Sequence, residues 1–106
     1  MSKSGIKIIE DSTGSGAVLR STDRVRILYD MQLSHGDFLV QEQWDTIALD
    51  DRNIIAGLRY GIEGMREGGM RKFKASPHLC YGDKELDRIP KNAALIVTIK
   101  SVKIEA

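Results

Sequence analysis

The stretch from Gly57 to Leu95 constrains this chain most. It runs Gly57-Leu-Arg-Tyr-Gly61-Ile-Glu-Gly64-Met65-Arg-Glu-Gly68-Gly69-Met-Arg-Lys-Phe73-Lys-Ala75-Ser76-Pro77-His-Leu-Cys-Tyr81-Gly82, then a short charged loop, then Ile89-Pro90-Lys-Asn92-Ala93-Ala94-Leu95. Just before it, Asp50-Asp51 offers side-chain caps and favourable charge for a helix start. Ile54, Leu58 and Ile62 follow four apart, with Ile55 beside them, so one helical face is apolar. Gly61 reads as a C-terminal stop. The spacing therefore predicts one helix of about two turns between Asp51 and Gly61, too short to stand without a sheet beneath it. Gly68-Gly69 is a hairpin signal. Met70 to Ser76 is a strand with Phe73 and Ala75 on one face, broken by Pro77.

The remaining segments read as strands. Ile6 to Glu10 is a first strand, and Asp11 to Gly16 is a turn-rich loop. Val25, Ile27, Tyr29, Met31 and Leu33 alternate with Arg24, Arg26, Leu28, Asp30 and Gln32, the period of a half-buried strand. Ser34-His35-Gly36-Asp37 is a hairpin turn. Phe38 to Val40 starts a return strand, and Trp44 to Leu49 carries another. Ala94 to Ile104 is a long final strand whose apolar phase slips between Ile99 and Val102, the mark of a bulge. Many strands and one short helix make an α+β fold.

A chain of 106 residues, 42% hydrophobic, fits a single domain over residues 1–106. A net charge of +1 gives no field to collect nucleic acid or anionic lipid. No run approaches the roughly 20 apolar residues of a membrane helix. Cys80 is the only cysteine, so no internal disulfide can form, and no apolar segment follows the N-terminus as in a signal peptide. The expectation is a monomer of a reducing cytoplasm.

Several motifs carry no chemistry. Gly14-Ser-Gly16 lacks the third glycine and the βαβ setting of a dinucleotide loop. His35, His78 and Cys80 are scattered, with one close pair, and make no metal site. No base or oxyanion loop is signalled for a serine or cysteine nucleophile, and Cys80 reads as a small packed residue. No metal or cofactor is implied.

The Gly57–Leu95 pattern resembles the core of the FKBP-type peptidyl-prolyl isomerases, the macrolide-binding immunophilins. Gly57, Gly61, Met65, Gly68, Tyr81, Gly82, Ile89, Pro90 and Leu95 all fall on the family pattern. The resemblance covers the chain from Gly5 to Ile104, and is weakest from Phe38 to Thr46. It implies an antiparallel sheet of five or six strands curled around the helix, with a ligand pocket between them. It also implies catalysed rotation about X-Pro bonds of peptides and folding proteins. As resemblance implies, Tyr81 and the Ile55 N–H are the catalytic donors to ligand carbonyls. Tyr29, Leu39, Ile54, Leu58, Ile89 and Val97 surround the proline ring. Tyr29 and Ile54 fit an ordinary core equally well.

The departures from the family are specific. Leu58 stands where the family has its floor tryptophan, and Val97 where it has an aromatic on the last strand. Leu39 and Val40 align with a Phe-Asp pair, although a one-residue slip puts Phe38 in the aromatic role. The other wall aromatic falls near Asp45, next to Trp44. The expected pocket is apolar, depleted in aromatics, wider, and without the carboxylate that helps hold a macrolide. Two readings follow. One is an isomerase of reduced activity that binds macrolides weakly. The other is an FKBP-fold module that binds a protein partner with little catalysis.

Overall fold

A computed structural model describes residues 5–86 and 88–105. The elements are β1 (Ile6–Ser12), β2 (Arg24–Leu33), β3 (Phe38–Ala48), α1 (Ala56–Ile62), β4 (Met70–Ala75) and β5 (Leu95–Glu105), with a 3-10 turn at Pro77–Leu79. The five strands form one antiparallel sheet in the order β1-β4-β5-β2-β3. The sheet curls about α1, which packs on β4 and β1. This is the α+β architecture the sequence implies.

Alternation explains most of it. Val25, Ile27, Tyr29, Met31 and Leu33 all face the core, as do Leu95, Val97 and Ile99 across from them on β5. The expected bulge is present. Leu28 pairs with Ser101 but Tyr29 with Ile99, leaving Lys100 as the extra residue and returning Val102 to the core.

Five expectations need correction. β3 is one strand of 11 residues, not two, because a bend absorbs the break in pattern. Register slips between Tyr29 and Gln32, and Glu42 takes a left-handed φ of 46°. Asp30 holds that bend: its Oδ1 accepts the Glu42 N–H at 2.7 Å, and its Oδ2 lies 3.2 Å from the Lys100 ammonium. β1 runs two residues into the expected loop, pairing Asp11 with Arg71 and Ser12 with Met70.

The helix begins at Ala56, with Ile55 at its N-cap and no side-chain cap. Asp51 instead accepts the Asn53 N–H at 2.9 Å in a local turn, which spends its carboxylate before the helix starts. Gly61 lies inside the helix rather than after it. A side chain there would strike the Phe73 ring, so this glycine answers a close approach and not a helix stop. Finally, Gly68 (φ 84°) turns the chain through a Gly69 N–H to Arg66 carbonyl bond of 2.9 Å, and so leads from the helix into β4 rather than joining two strands. The Ile54/Leu58/Ile62 face does turn inward: Leu58 and Ile62 are buried and Ile54 half-buried.

Candidate functional site

Tyr29 reaches the core face because it sits in phase with Ile27 and Met31 on β2. Its hydroxyl donates to Asp45 Oδ2 at 2.8 Å. Burial, then that hydrogen bond and the Asp45 charge, and last the neighbouring Tyr81, push the Tyr29 pKa up. Tyr29 therefore stays protonated as a donor. Tyr81 is half-buried against the core. It follows the 3-10 turn, where the Gly82 N–H donates to the Pro77 carbonyl at 2.8 Å and the Asn92 N–H to the Gly82 carbonyl at 2.8 Å. Gly82, next to Tyr81, is thus held at both its N–H and its carbonyl, and the Tyr81 hydroxyl makes no hydrogen bond to a described residue.

At the helix start, Ile55 has an extended backbone (φ −57°, ψ 143°). Its carbonyl accepts from Leu58 and Arg59 N–H groups at 3.1 and 3.2 Å. Its own N–H has no backbone acceptor among the described residues, as expected ahead of a first helical turn. The Arg59 Nε donates to the Ile54 carbonyl at 3.1 Å, which fixes the Ile54–Ile55 peptide.

The residues expected around a proline ring fall into two groups. Tyr29, Leu58 and Val97 are buried members of the core. Leu39, Ile54, Ile55, Tyr81 and Ile89 are half-buried and packed against it. The first group can serve as floor and the second as rim. Ile89 is held by reciprocal backbone bonds with Leu86, of 2.9 and 3.1 Å. Arg88 ties this loop to β3, with Nη2 donating to the Phe38 carbonyl at 2.6 Å and Nη1 reaching the Leu39 carbonyl at 3.5 Å. A cavity of about 390 Å³ lies there, lined by Leu33, Asp37, Phe38, Leu39 and Arg88. Cys80 is half-buried, and burial pushes its thiol up to about 11.

Residues 16–102 match the sequence profile of the FKBP-type peptidyl-prolyl cis-trans isomerases. The chain belongs to this family. FK506-binding protein 4 of Aspergillus fumigatus is 34% identical over 104 residues, covering 95% of this chain and 21% of its own length. The chloroplastic peptidyl-prolyl cis-trans isomerase FKBP16-4 of Arabidopsis thaliana is 30% identical over 112 residues, covering 95% of this chain and 49% of its own. The chain thus spans about a fifth to a half of the length of these relatives. The crystal structure of AtFKBP13 shares the fold, with a TM-score of 0.84 at 22% identity over 94% of this chain and 93% of that one.

In this FKBP domain Asp45 stands at the β3 position where the family resemblance expects an aromatic, and its carboxylate accepts from the Tyr29 hydroxyl. Trp44, its neighbour, points to the outer face instead, where it is 45% exposed under the Arg26 guanidinium at 4.8 Å. Phe38 does not take the aromatic role either, being exposed at the hairpin. Asp45 and Arg88 escaped sequence reasoning. For Asp45 the resemblance marked only the place of a missing wall aromatic, and the further signal was its alternation in phase with Ile47.

Proposed function

We propose that this FKBP domain catalyses cis-trans isomerisation of X-Pro bonds in peptides and folding proteins. One observation carries the reading: the Tyr81 hydroxyl has no partner among the described residues and stands beside Tyr29 against an apolar floor. A proline ring would lie over Leu58, Tyr29 and Val97, with Leu39, Ile54 and Ile89 at the rim. Tyr81 and the Ile55 N–H would donate to the substrate carbonyls. Rotation about the amide faces a barrier of about 20 kcal/mol, set by loss of conjugation. A site that excludes water disfavours the dipolar planar amide, and fixed donors favour the twisted form. No acid, nucleophile or metal is required. This fits a site whose floor is largely apolar and whose donors to the substrate are neutral.

With Leu58 and Val97 in place of aromatics, activity and macrolide affinity would be lower than in a member with the full aromatic cage. The same aromatic-poor floor favours a second reading, a module that binds a protein segment with little catalysis. The proposal also includes a monomer in a reducing compartment, where the single half-buried thiol would stay reduced. A protease-coupled assay over peptides differing in the residue before proline tests it. Acceleration above the uncatalysed rate supports the isomerase. Binding without acceleration would select the binding module, and the absence of both would overturn the site.

A further inference from the structure

We infer that Asp45 is a specificity-determining residue that selects prolyl substrates carrying Lys or Arg next to the proline. The inference rests on the proposed prolyl site and says which substrates it prefers. It starts from register. Asp45 pairs across the sheet with Ile27, which is fully buried, and alternates in phase with the buried Ile47. Its backbone neighbours Trp44 and Thr46 are exposed. Asp45 therefore carries a carboxylate to the core face of the sheet, at the site of Tyr29 and Tyr81.

That carboxylate is only half satisfied. Oδ2 takes the Tyr29 proton at 2.8 Å, while Oδ1 accepts nothing from a described residue. Among the described residues no cation forms an ion pair with Asp45, and nearby strands and loops use theirs otherwise. Arg59 donates to the Ile54 carbonyl, Arg88 to the carbonyls of Phe38 and Leu39, and Lys100 faces Asp30 and Glu42. Tyr29 is a neutral donor, so the Tyr29–Asp45 pair keeps one negative charge. That charge attracts a substrate cation and repels a substrate acid, and an apolar side chain does neither. The Tyr29 hydroxyl orients the carboxylate, and Tyr81 beside it would hold the substrate carbonyl, which puts the residues flanking the proline within reach of Oδ1.

The test compares peptides of matched length with Lys, norleucine or Glu before the proline, and the same three after it. Exchange NMR gives kcat/KM for wild type and Asp45→Asn, and titration gives the affinities of the same peptides. Wild type should favour Lys over norleucine by about three- to fivefold, the scale of a partly exposed ion pair, and should disfavour Glu. The preference should shrink with added salt. In Asp45→Asn the Lys-to-norleucine ratio should fall to about one, and in Asp45→Lys the Glu peptide should become the preferred one. A wild-type ratio of one at both positions, or a ratio unchanged in Asp45→Asn, overturns the inference while leaving an active isomerase intact. If no peptide is isomerised, the isomerase reading fails and the affinities decide. Tighter binding of the Lys peptides still supports Asp45, and equal or absent binding overturns it.

Discussion

Replacing Gly61 with alanine should destabilise the fold, against the usual effect of that change in a helix. At an open helical position alanine is favoured over glycine by about 1 kcal/mol. Gly61, however, sits within α1 directly over Phe73, and a Cβ there would overlap the Cε2, Cζ and Cδ2 atoms of the ring. Phe73 is fully buried between Ile8 on β1 and Val97 on β5, so the ring has no room to retreat. Overpacking of a core costs about 1–3 kcal/mol and sometimes more. The overlap is with three ring atoms, so the upper part of that range applies. After the helical gain is subtracted, a net loss of about 1–2 kcal/mol remains, or roughly 4–8 °C in Tm for a domain of this size. Denaturant unfolding followed by circular dichroism measures it. A double-mutant cycle identifies the cause. Phe73→Leu should cost less in the Gly61→Ala background than alone, with a coupling of at least about 0.5 kcal/mol. If Gly61→Ala is as stable as wild type or more so, the helix does not rest on Phe73 and the packing argument is wrong.

Tyr81→Phe should weaken binding of a prolyl peptide by about 0.5–1.5 kcal/mol, the net worth of one hydrogen bond, as read by titration calorimetry; equal affinities would remove Tyr81 from the site. Leu58→Trp restores aromatic area to the floor and should raise macrolide affinity and isomerase rate by part of about 1–3 kcal/mol. Because Leu58 is only 5% exposed, it should also lower Tm, and rate, affinity and melting have to be measured together. Cys80, with its thiol pushed up from 9.0 to about 11, should alkylate at pH 8 roughly a hundredfold more slowly in the native protein than in denaturant. The folded state holds that proton more tightly than the unfolded state, so stability should decline as pH rises from about 9 toward 11.

The periodic parts of the fold were legible because one period governs them. The β2 alternation and the phase slip on β5 each predict which side chains are buried, and both are seen. The helix boundaries were not legible. An Asp pair before an apolar face looks like a cap, but local turns through Asp51 consume it. Gly61 looks like a stop, but its reason is Phe73, which approaches from another element. The two-strand reading of β3 failed similarly, since Asp30 and Lys100 come from β2 and β5 to support the bend at Glu42. Of the proposed site residues, Tyr81, Ile54, Ile55 and Ile89 come from short motifs with fixed spacing. Asp45 was hidden because its partner Tyr29 lies 16 residues away, and only the register between β2 and β3 brings the two together. Arg88 was hidden for the same reason, its carbonyl partners lying on β3, 49 and 50 residues away.

The most direct test of the proposed site is exchange NMR on an X-Pro peptide with substoichiometric protein, read on both molecules. The peptide's cis and trans signals should interconvert far faster than the uncatalysed tens of seconds to minutes. The protein's shifts should concentrate at Ile54, Ile55, Tyr29, Tyr81 and Ile89. Unchanged exchange, with shifts elsewhere or none, would contradict the proposal that this pocket turns prolyl bonds.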